Sequence, residues 1–169
     1  MGSSIEVVEY DPSWVLLFEQ IRDLVLPVLN DLEVRIEHVG STSIPGLAAK
    51  PIVDIDVAVT KQSDIHAAIQ RLATLGYVHE GDLGATGREA FIPPDGITWH
   101  HLYVCTIEND EYKRHILFRD YLRSHPEDAK MYGDLKMELS HRFQNDRLAY
   151  SNAKSDFVTG ILKLAGWKY

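Results

Sequence analysis

The sequence predicts an α+β fold: a mixed sheet with helices, followed by a helical C-terminal half. Short apolar-alternating runs at 34–39, 52–59 and 98–106 are confined to the first two thirds of the chain, whereas helical periodicity continues almost unbroken beyond Asp110. Strands followed by a run of helices differ from the repeating strand-helix order of a parallel α/β design. With 169 residues and 45% hydrophobic content, the chain reads as one domain over 1–169. Its strand-rich part covers about 31–107 and its helical part about 108–169, with no repeat, low-complexity tract or linker.

Asp11-Pro12 gives a helix start, because Pro is tolerated in the first turn. Leu17, Phe18, Ile21, Leu24 and Val28 then recur at helical spacing to an end near Asn30. Val34 to Val39 reads as a strand that runs into the polar turn Gly40-Ser41-Thr42-Ser43. Pro51 opens a second strand over 52–59, with its carboxylates on one face and its aliphatic side chains on the other. A helix is expected from Ser63 to Leu75, with Gly76 as its C-terminal cap. Strands follow at Tyr77 to Glu80, at Glu89 to Ile92 and, after the Pro93-Pro94-Asp95-Gly96 turn, at Thr98 to Thr106. Tyr112, Ile116, Tyr121 and Leu122 mark the next helix, Met131, Leu135 and Leu139 another, and Leu148, Phe157, Ile161 and Leu162 the last. Pro126 divides the first two of these, and Asn145-Asp146 offers a cap for the third.

No apolar stretch is long enough to span a bilayer and no leader pattern is present, so a cytoplasmic chain with no membrane partner is expected. Met1-Gly2-Ser3-Ser4 resembles the start of a lipidation signal, but Glu6 stands where Ser or Thr is needed. The formal charge of -8 argues against a broad basic face for duplex nucleic acid, though a local cluster of Lys and Arg can still hold a small anion. Cys105 is the single cysteine and lies in a strand pattern, which excludes a disulfide framework and points to a buried, inert thiol.

The chemistry centres on Asp54-Ile55-Asp56. Two carboxylates at this spacing project from one face of a strand, repel each other, and are relieved by a shared divalent cation. Hard oxygen ligands favour Mg²⁺ or Mn²⁺. Alone, such a pair is usually a solvated strand edge, and Gly40 to Ser43 alone is an ordinary connection. Together they supply a phosphate cradle from Gly40, Ser41 and Thr42 followed by a metal site, with Lys50 as a compensating cation between them. Arg88 is a second candidate for a phosphate, against an equally good reading as a salt-bridge partner of the sheet's acids. His100 and His101 point to opposite faces of their strand. His101 is the site candidate because it shares a face with Tyr103.

The segment His38-Val39-Gly40-Ser41-Thr42-Ser43-Ile44-Pro45-Gly46-Leu47-Ala48-Ala49-Lys50-Pro51-Ile52-Val53-Asp54-Ile55 resembles the signature of GrpB proteins. The similarity continues through Thr98 to Leu102, the His115 to His125 segment with its Phe118-Arg119-Asp120-Tyr121-Leu122-Arg123 core, and on to Lys136, Tyr150 and Lys154. The resemblance implies a DNA polymerase beta-like nucleotidyltransferase fold, in which a Gly-Ser turn precedes paired acids. It also implies a possible link to coenzyme A metabolism, because similar domains occur joined to dephospho-coenzyme A kinase. Lys136, Tyr150 and Lys154 then become candidates to close the site, the last two lying one helical turn apart. The chain departs from active transferases in one respect: the strand from Thr98 to Thr106 offers His101 and Tyr103 where a third carboxylate is expected.

The function expected is metal-dependent nucleotidyl transfer from a nucleoside triphosphate to an unidentified acceptor. Asp54 and Asp56 would be the catalytic metal ligands. The alternative is a non-catalytic module that binds a nucleotide or a coenzyme A precursor. A metal-dependent hydrolysis using His101, with Zn²⁺ or Mn²⁺, is a third reading.

Overall fold

The computed structural model describes residues 4–169, so Met1 to Ser3 of the lipidation reading lie outside the described residues. A five-stranded mixed sheet has the order β1-β2-β5-β4-β3, formed by β1 (Val34–Val39), β2 (Asp54–Val59), β3 (Val78–Gly81), β4 (Glu89–Ile92) and β5 (His101–Thr106). Only β2 and β5 run parallel. Helices α1 (Ser13–Leu29) and α2 (Asp64–Ala73) precede and punctuate the strands, and α3 (Asp110–Ser124), α4 (Pro126–Arg142) and α5 (Arg147–Leu164) form the helical half. Among the described residues, no helix is long and apolar enough to cross a membrane.

Asp11 Oδ1 accepts from Ser13 N at 2.8 Å and starts α1 beside Pro12. Trp14, Ile21, Val25 and Leu29 form its buried stripe, whereas Leu24 falls off it and is 37% exposed. That stripe packs with Val53, just before the second strand, with Ile55, Val57 and Val59 of that strand and with Ile65, Ala68 and Leu72 of α2, forming the main core on one face of the sheet. Strict alternation sends Asp54, Asp56 and Ala58 to the opposite face, which is the face covered by the helical half. The sequence therefore decides which side of the sheet carries chemistry.

Two strands begin later than expected. Ile52 N donates to Lys50 O at 2.8 Å, a tight bend at Pro51 that delays β2 until Asp54. Thr98 O accepts from His100 Nδ1 at 2.7 Å, a local bond that keeps 98–100 out of β5. The third strand is displaced by one residue from expectation, with an irregularity between His79 and Gly81. Helix α2 ends at Ala73 with Thr74 as its C-cap, and Gly76 at φ +93° terminates it as expected, turning the chain so that Tyr77 N donates back to Leu72 O at 3.3 Å.

Ile44 and Leu47, just past the polar turn, insert among Leu122, Ala129, Tyr132 and Ile161 of α3, α4 and α5. Each is fully buried, worth roughly 1.5–3 kcal/mol relative to exposure, and together they fasten the turn to the helical half. A Cβ at Gly133 would meet Leu47 Cδ1 at 3.3 Å and Ala48 N at 3.5 Å, so α4 approaches this segment closely. Asn109 Oδ1 caps α3 through Glu111 N at 2.9 Å, Pro126 opens α4, and Asp146 Oδ1 caps α5 through Ala149 N at 2.9 Å. Met131 and Leu148, although in register with the helical repeat, are 60% and 72% exposed. Cys105 is buried with Ala58, Tyr112 and Ile116, and burial plus the Asp56 charge push its thiol up to about 12, which leaves it inert.

Candidate functional site

Gly40 joins β1 to the 3₁₀ turn at Ser41–Ser43 with φ +72° and ψ -175°, a conformation open essentially to glycine alone. A Cβ there would lie 2.4 Å from Asp54 Oδ2, so the position is fixed by backbone conformation and also by the close approach of the carboxylate. The turn holds itself by Ser43 N to Gly40 O at 3.1 Å and Ile44 N to Ser41 O at 3.2 Å. The Thr42 hydroxyl is bonded to His38 Nε2 at 2.9 Å, and the His38 ring stacks on Phe18 at 4.9 Å. Burial, helped by the charge of Arg123 and opposed by that of Asp54, pushes His38 down to about 4, so the ring is neutral at physiological pH.

Two arginines of α3 hold this turn from behind. Arg119 Nη1 donates to Glu37 Oε2 at 2.7 Å and to His38 O at 3.1 Å, and Arg123 Nε donates to Ser43 O at 2.9 Å. The Phe118 to Arg123 motif thus acts as a clamp on the Gly-Ser turn.

The two aspartates have different surroundings. Asp54 is half-buried and accepts from His101 Nδ1 at 2.8 Å. Asp56 is 0% exposed; its Oδ2 accepts from His115 Nδ1 at 2.7 Å, and its Oδ1 has no partner among the described residues. Burial disfavours a charged His115 ring, but the hydrogen bond and charge of Asp56 outweigh it and raise the pKa above the ordinary value. His100 lies on the other face, accepting from the Tyr77 hydroxyl at 2.8 Å, so His101 is the strand's contribution to the site. In the parallel pairing of the central strands, Asp54 stands opposite His101 and Asp56 opposite Tyr103, and no third acid comes from β5.

One buried, unpartnered carboxylate oxygen and one carboxylate packed against a glycine are a fit for a hard divalent cation. Among the described residues no group of three His, Cys, Asp or Glu side chains gathers around one point, so such an ion would have only Asp54 and Asp56 as its ligands from these residues. That number suits Mg²⁺, which usually takes one or two carboxylates and fills its remaining positions with water and substrate phosphates.

Beside Asp54 a pocket of about 160 Å³ is lined by Ser41, Thr42, Lys50, His101, Lys136, Tyr150 and Lys154. Of the sequence candidates, Ser41, Thr42, Lys50, Asp54, His101, Lys136, Tyr150 and Lys154 are brought together there, whereas Gly40 and Asp56 do not line this pocket. The ammonium groups of Lys50 and Lys154 lie 4.9 and 4.8 Å from the Tyr150 ring centre, and that of Lys136 lies 4.6 Å from the Tyr132 ring centre. Lys136 is only 2% exposed, and burial, reinforced by Lys154 and Lys50 against Asp54, pushes it down to about 7. Lys50 and Lys154 are lowered as well, chiefly by burial. Three crowded lysine amines facing one acid form a locally cationic pocket in an acidic chain.

Arg88 does not line this pocket. Its guanidinium lies 4.1 Å over the Tyr103 ring, with Nε buried and unpartnered among the described residues, and it forms no salt bridge with the sheet's acids there. His115 is the residue that sequence reading left out of the site. Its signal was the spacing His115, Arg119, Arg123, every fourth position along one helix face.

A family model described as GrpB protein matches residues 4–164. The chain belongs to the GrpB family. Its relatives include a UPF0157 protein of Pseudomonas aeruginosa, 38% identical over 94% of this chain and 66% of that protein, so the chain spans just under two thirds of that relative's length. The Glutamate-rich protein GrpB of Alkalihalophilus pseudofirmus is 34% identical, with 92% of each chain covered. More distantly, a dephospho-CoA kinase of Mycolicibacterium paratuberculosis is 23% identical over 97% of this chain and 48% of that protein. Among solved structures, the conserved protein GrpB from Enterococcus faecalis superposes with a TM-score of 0.83 at 34% identity, covering 95% of this chain and 96% of that one. The Cid1 poly(U) polymerase superposes with a TM-score of 0.56 at 10% identity, over 80% of this chain and 42% of that one. The GrpB fold seen here is thus the polymerase beta-like nucleotidyltransferase fold.

Proposed function

We propose that this GrpB protein is a metal-dependent nucleotidyltransferase. The observation that carries the reading is the lysine-lined pocket directly against Asp54 and the Gly40-Ser41 turn, which sets a polyanion site beside the first of the two strand carboxylates. Lys50, Lys136 and Lys154 hold the phosphates of a nucleoside triphosphate, and Ser41 and Thr42 add hydroxyl donors. Asp54 and Asp56 hold the cation, Mg²⁺ or Mn²⁺, which when bound supplies Lewis-acid polarisation of the phosphoryl group. His101 and His115 each donate to one carboxylate and fix its orientation, leaving Asp56 Oδ1 without a protein partner. The acceptor oxygen attacks the α-phosphorus, its bond to phosphorus forms as the α–β phosphoanhydride bond breaks, pyrophosphate leaves, and the acceptor's proton passes to solvent.

One observation favours a second reading, a module that binds a nucleotide or a coenzyme A precursor without turnover: His101 and Tyr103 occupy the strand positions beside the acids. A thermal-shift screen of nucleoside triphosphates and coenzyme A precursors, with and without Mg²⁺ or Mn²⁺, tests both. The transferase reading expects a metal-dependent rise in Tm with a nucleotide, lost in Asp54→Asn/Asp56→Asn, and pyrophosphate release on addition of acceptor extracts. A nucleotide shift indifferent to metal and to the double substitution, with no pyrophosphate released, supports the binding module.

A further inference from the structure

The lysine pocket does not end at Asp54. Ser41, Asp54 and Lys154 also form one wall of a second cavity, about 380 Å³, that opens between α3 and α5. Along α5 its lining changes from Lys154 to Val158 to Leu162, one residue per turn, so charge gives way to apolar surface over about 12 Å. On the facing helix Phe118 lines the same cavity. Its neighbour Tyr132 is parallel to Phe157 at 5.2 Å and has Lys136 over its ring, while Phe118 meets Tyr132 at 85° and has no stacked partner among the described residues. At the mouth, Arg114 pairs with Glu111 and lies 5.2 Å over the Trp167 ring.

A cationic pocket continuous with an apolar one that offers an unstacked aromatic ring matches a ligand with an anionic end and a flat, weakly polar end. We propose that the cavity between α3 and α5 binds the nucleoside of a nucleotide whose phosphates lie in the lysine pocket, with the base against Phe118 and the apolar side chain of Val158. The assignment rests on the phosphate reading of the lysine pocket but not on catalysis, because a transferase and a binding module need the same subsite. Its size lies at the lower end for small-molecule sites, as expected for one nucleoside.

Calorimetric titration with inorganic triphosphate and with ATP, CTP, GTP and UTP, each with Mg²⁺, separates the two pockets. In the wild type at least one nucleoside triphosphate should bind about tenfold or more tightly than inorganic triphosphate, the gain coming from apolar burial and stacking. Val158→Gln should bring that nucleotide to the affinity of triphosphate and leave triphosphate itself unchanged. Phe118→Leu, which keeps most of the volume and removes the ring face, should act in the same direction and decides the matter if Val158→Gln loses triphosphate binding by misfolding. Triphosphate binding with no nucleotide advantage, or an advantage untouched by Phe118→Leu, overturns the nucleoside subsite while the phosphate reading stands. No binding of triphosphate or of any nucleotide to the wild type overturns the phosphate reading and the subsite with it.

Discussion

Replacing Lys136 by Met should make the protein more stable and less able to bind phosphate. Burial holds the Lys136 amine at about 7 against an ordinary 10.5. At about 1.4 kcal/mol per pH unit, that depression corresponds to roughly 5 kcal/mol as a ceiling on the cost of keeping the ammonium in the fold. The sign follows from proton counting. Below pH 7 both folded and unfolded chains carry the proton and the whole cost is felt. Between pH 7 and 10.5 the folded chain has released it and the unfolded chain has not, so stability rises with pH and the cost is gone above 10.5. Met keeps most of the packing but loses the contact with Tyr132, worth about 1 kcal/mol. Urea unfolding should therefore find Lys136→Met more stable by up to about 4 kcal/mol at pH 6, and by clearly less at pH 9. A variant less stable than wild type at pH 6, or a difference identical at both pH values, would refute the claim that the site strains the fold. Triphosphate binding to the wild type at pH 8 should take up protons, seen as a binding enthalpy that differs between Tris and HEPES, and this difference should vanish with Lys136→Met.

Gly40→Ala should destabilise by roughly 1–3 kcal/mol from its positive φ, plus the clash with Asp54 Oδ2; Gly40→Ala/Asp54→Ala should recover the second part only, which urea titration of both variants will show. His38 should titrate near 4 by NMR, and because its folded pKa is depressed below 6.5, its contribution of about 3 kcal/mol is present above pH 6.5 and lost as pH falls towards 4; His38→Gln should flatten that part of the stability profile. Arg123→Gln leaves Ser43 O without its donor and should cost about 1–3 kcal/mol by urea unfolding, while also weakening triphosphate binding through the loosened turn.

The order of elements was legible because each carries a local signature: alternation in the central strands, Asp11-Pro12 and Pro126 at helix starts, and Asp146 as a cap. Strand starts were less legible at 52–53 and 98–100, where single hydrogen bonds from Ile52 N and from His100 Nδ1 interrupt an otherwise extended pattern. Leu24, Met131 and Leu148 fit a helical repeat yet face outward, since spacing defines a stripe but not the neighbour that would cover it. In the site, Asp54, Asp56 and Gly40 followed from strand parity and turn chemistry. The gathering of Lys136, Tyr150 and Lys154 against them came from resemblance, because nothing local states that α4 and α5 return to the sheet. For Arg88 the sequence left a phosphate and a salt bridge open, and proximity in the sheet did not reveal that its guanidinium would lie over Tyr103. His115 was missed because one histidine on a helix acquires meaning only when Asp56 is seen beneath it.

The two faces of the sheet differ in what the unliganded chain would gain by rearranging. The face packed by the first two helices is mainly apolar, with Val25, Leu29, Ile55, Val57 and Leu72 fully buried, and its buried histidines His38 and His100 are each hydrogen-bonded, to Thr42 and to Tyr77. The other face holds Asp56 with an oxygen unpartnered, Arg88 with a nitrogen unpartnered, and Lys136 buried without a salt bridge among the described residues. Each of these is a desolvated polar group that folding alone does not compensate, and each costs of order 1–3 kcal/mol or more. Such groups persist only where surrounding structure holds them, and here the Arg119 and Arg123 clamp, the inserted Ile44 and Leu47 and the Gly40 turn all do so. A cation would satisfy the Asp56 oxygen and a polyphosphate would satisfy the lysines, whereas neither would improve the apolar face. Of these groups Lys136 lines the pocket beside Asp54, while Asp56 and Arg88 lie on the same face of the sheet outside its lining, so the uncompensated polar groups mark that face as the one where a ligand would be stabilising.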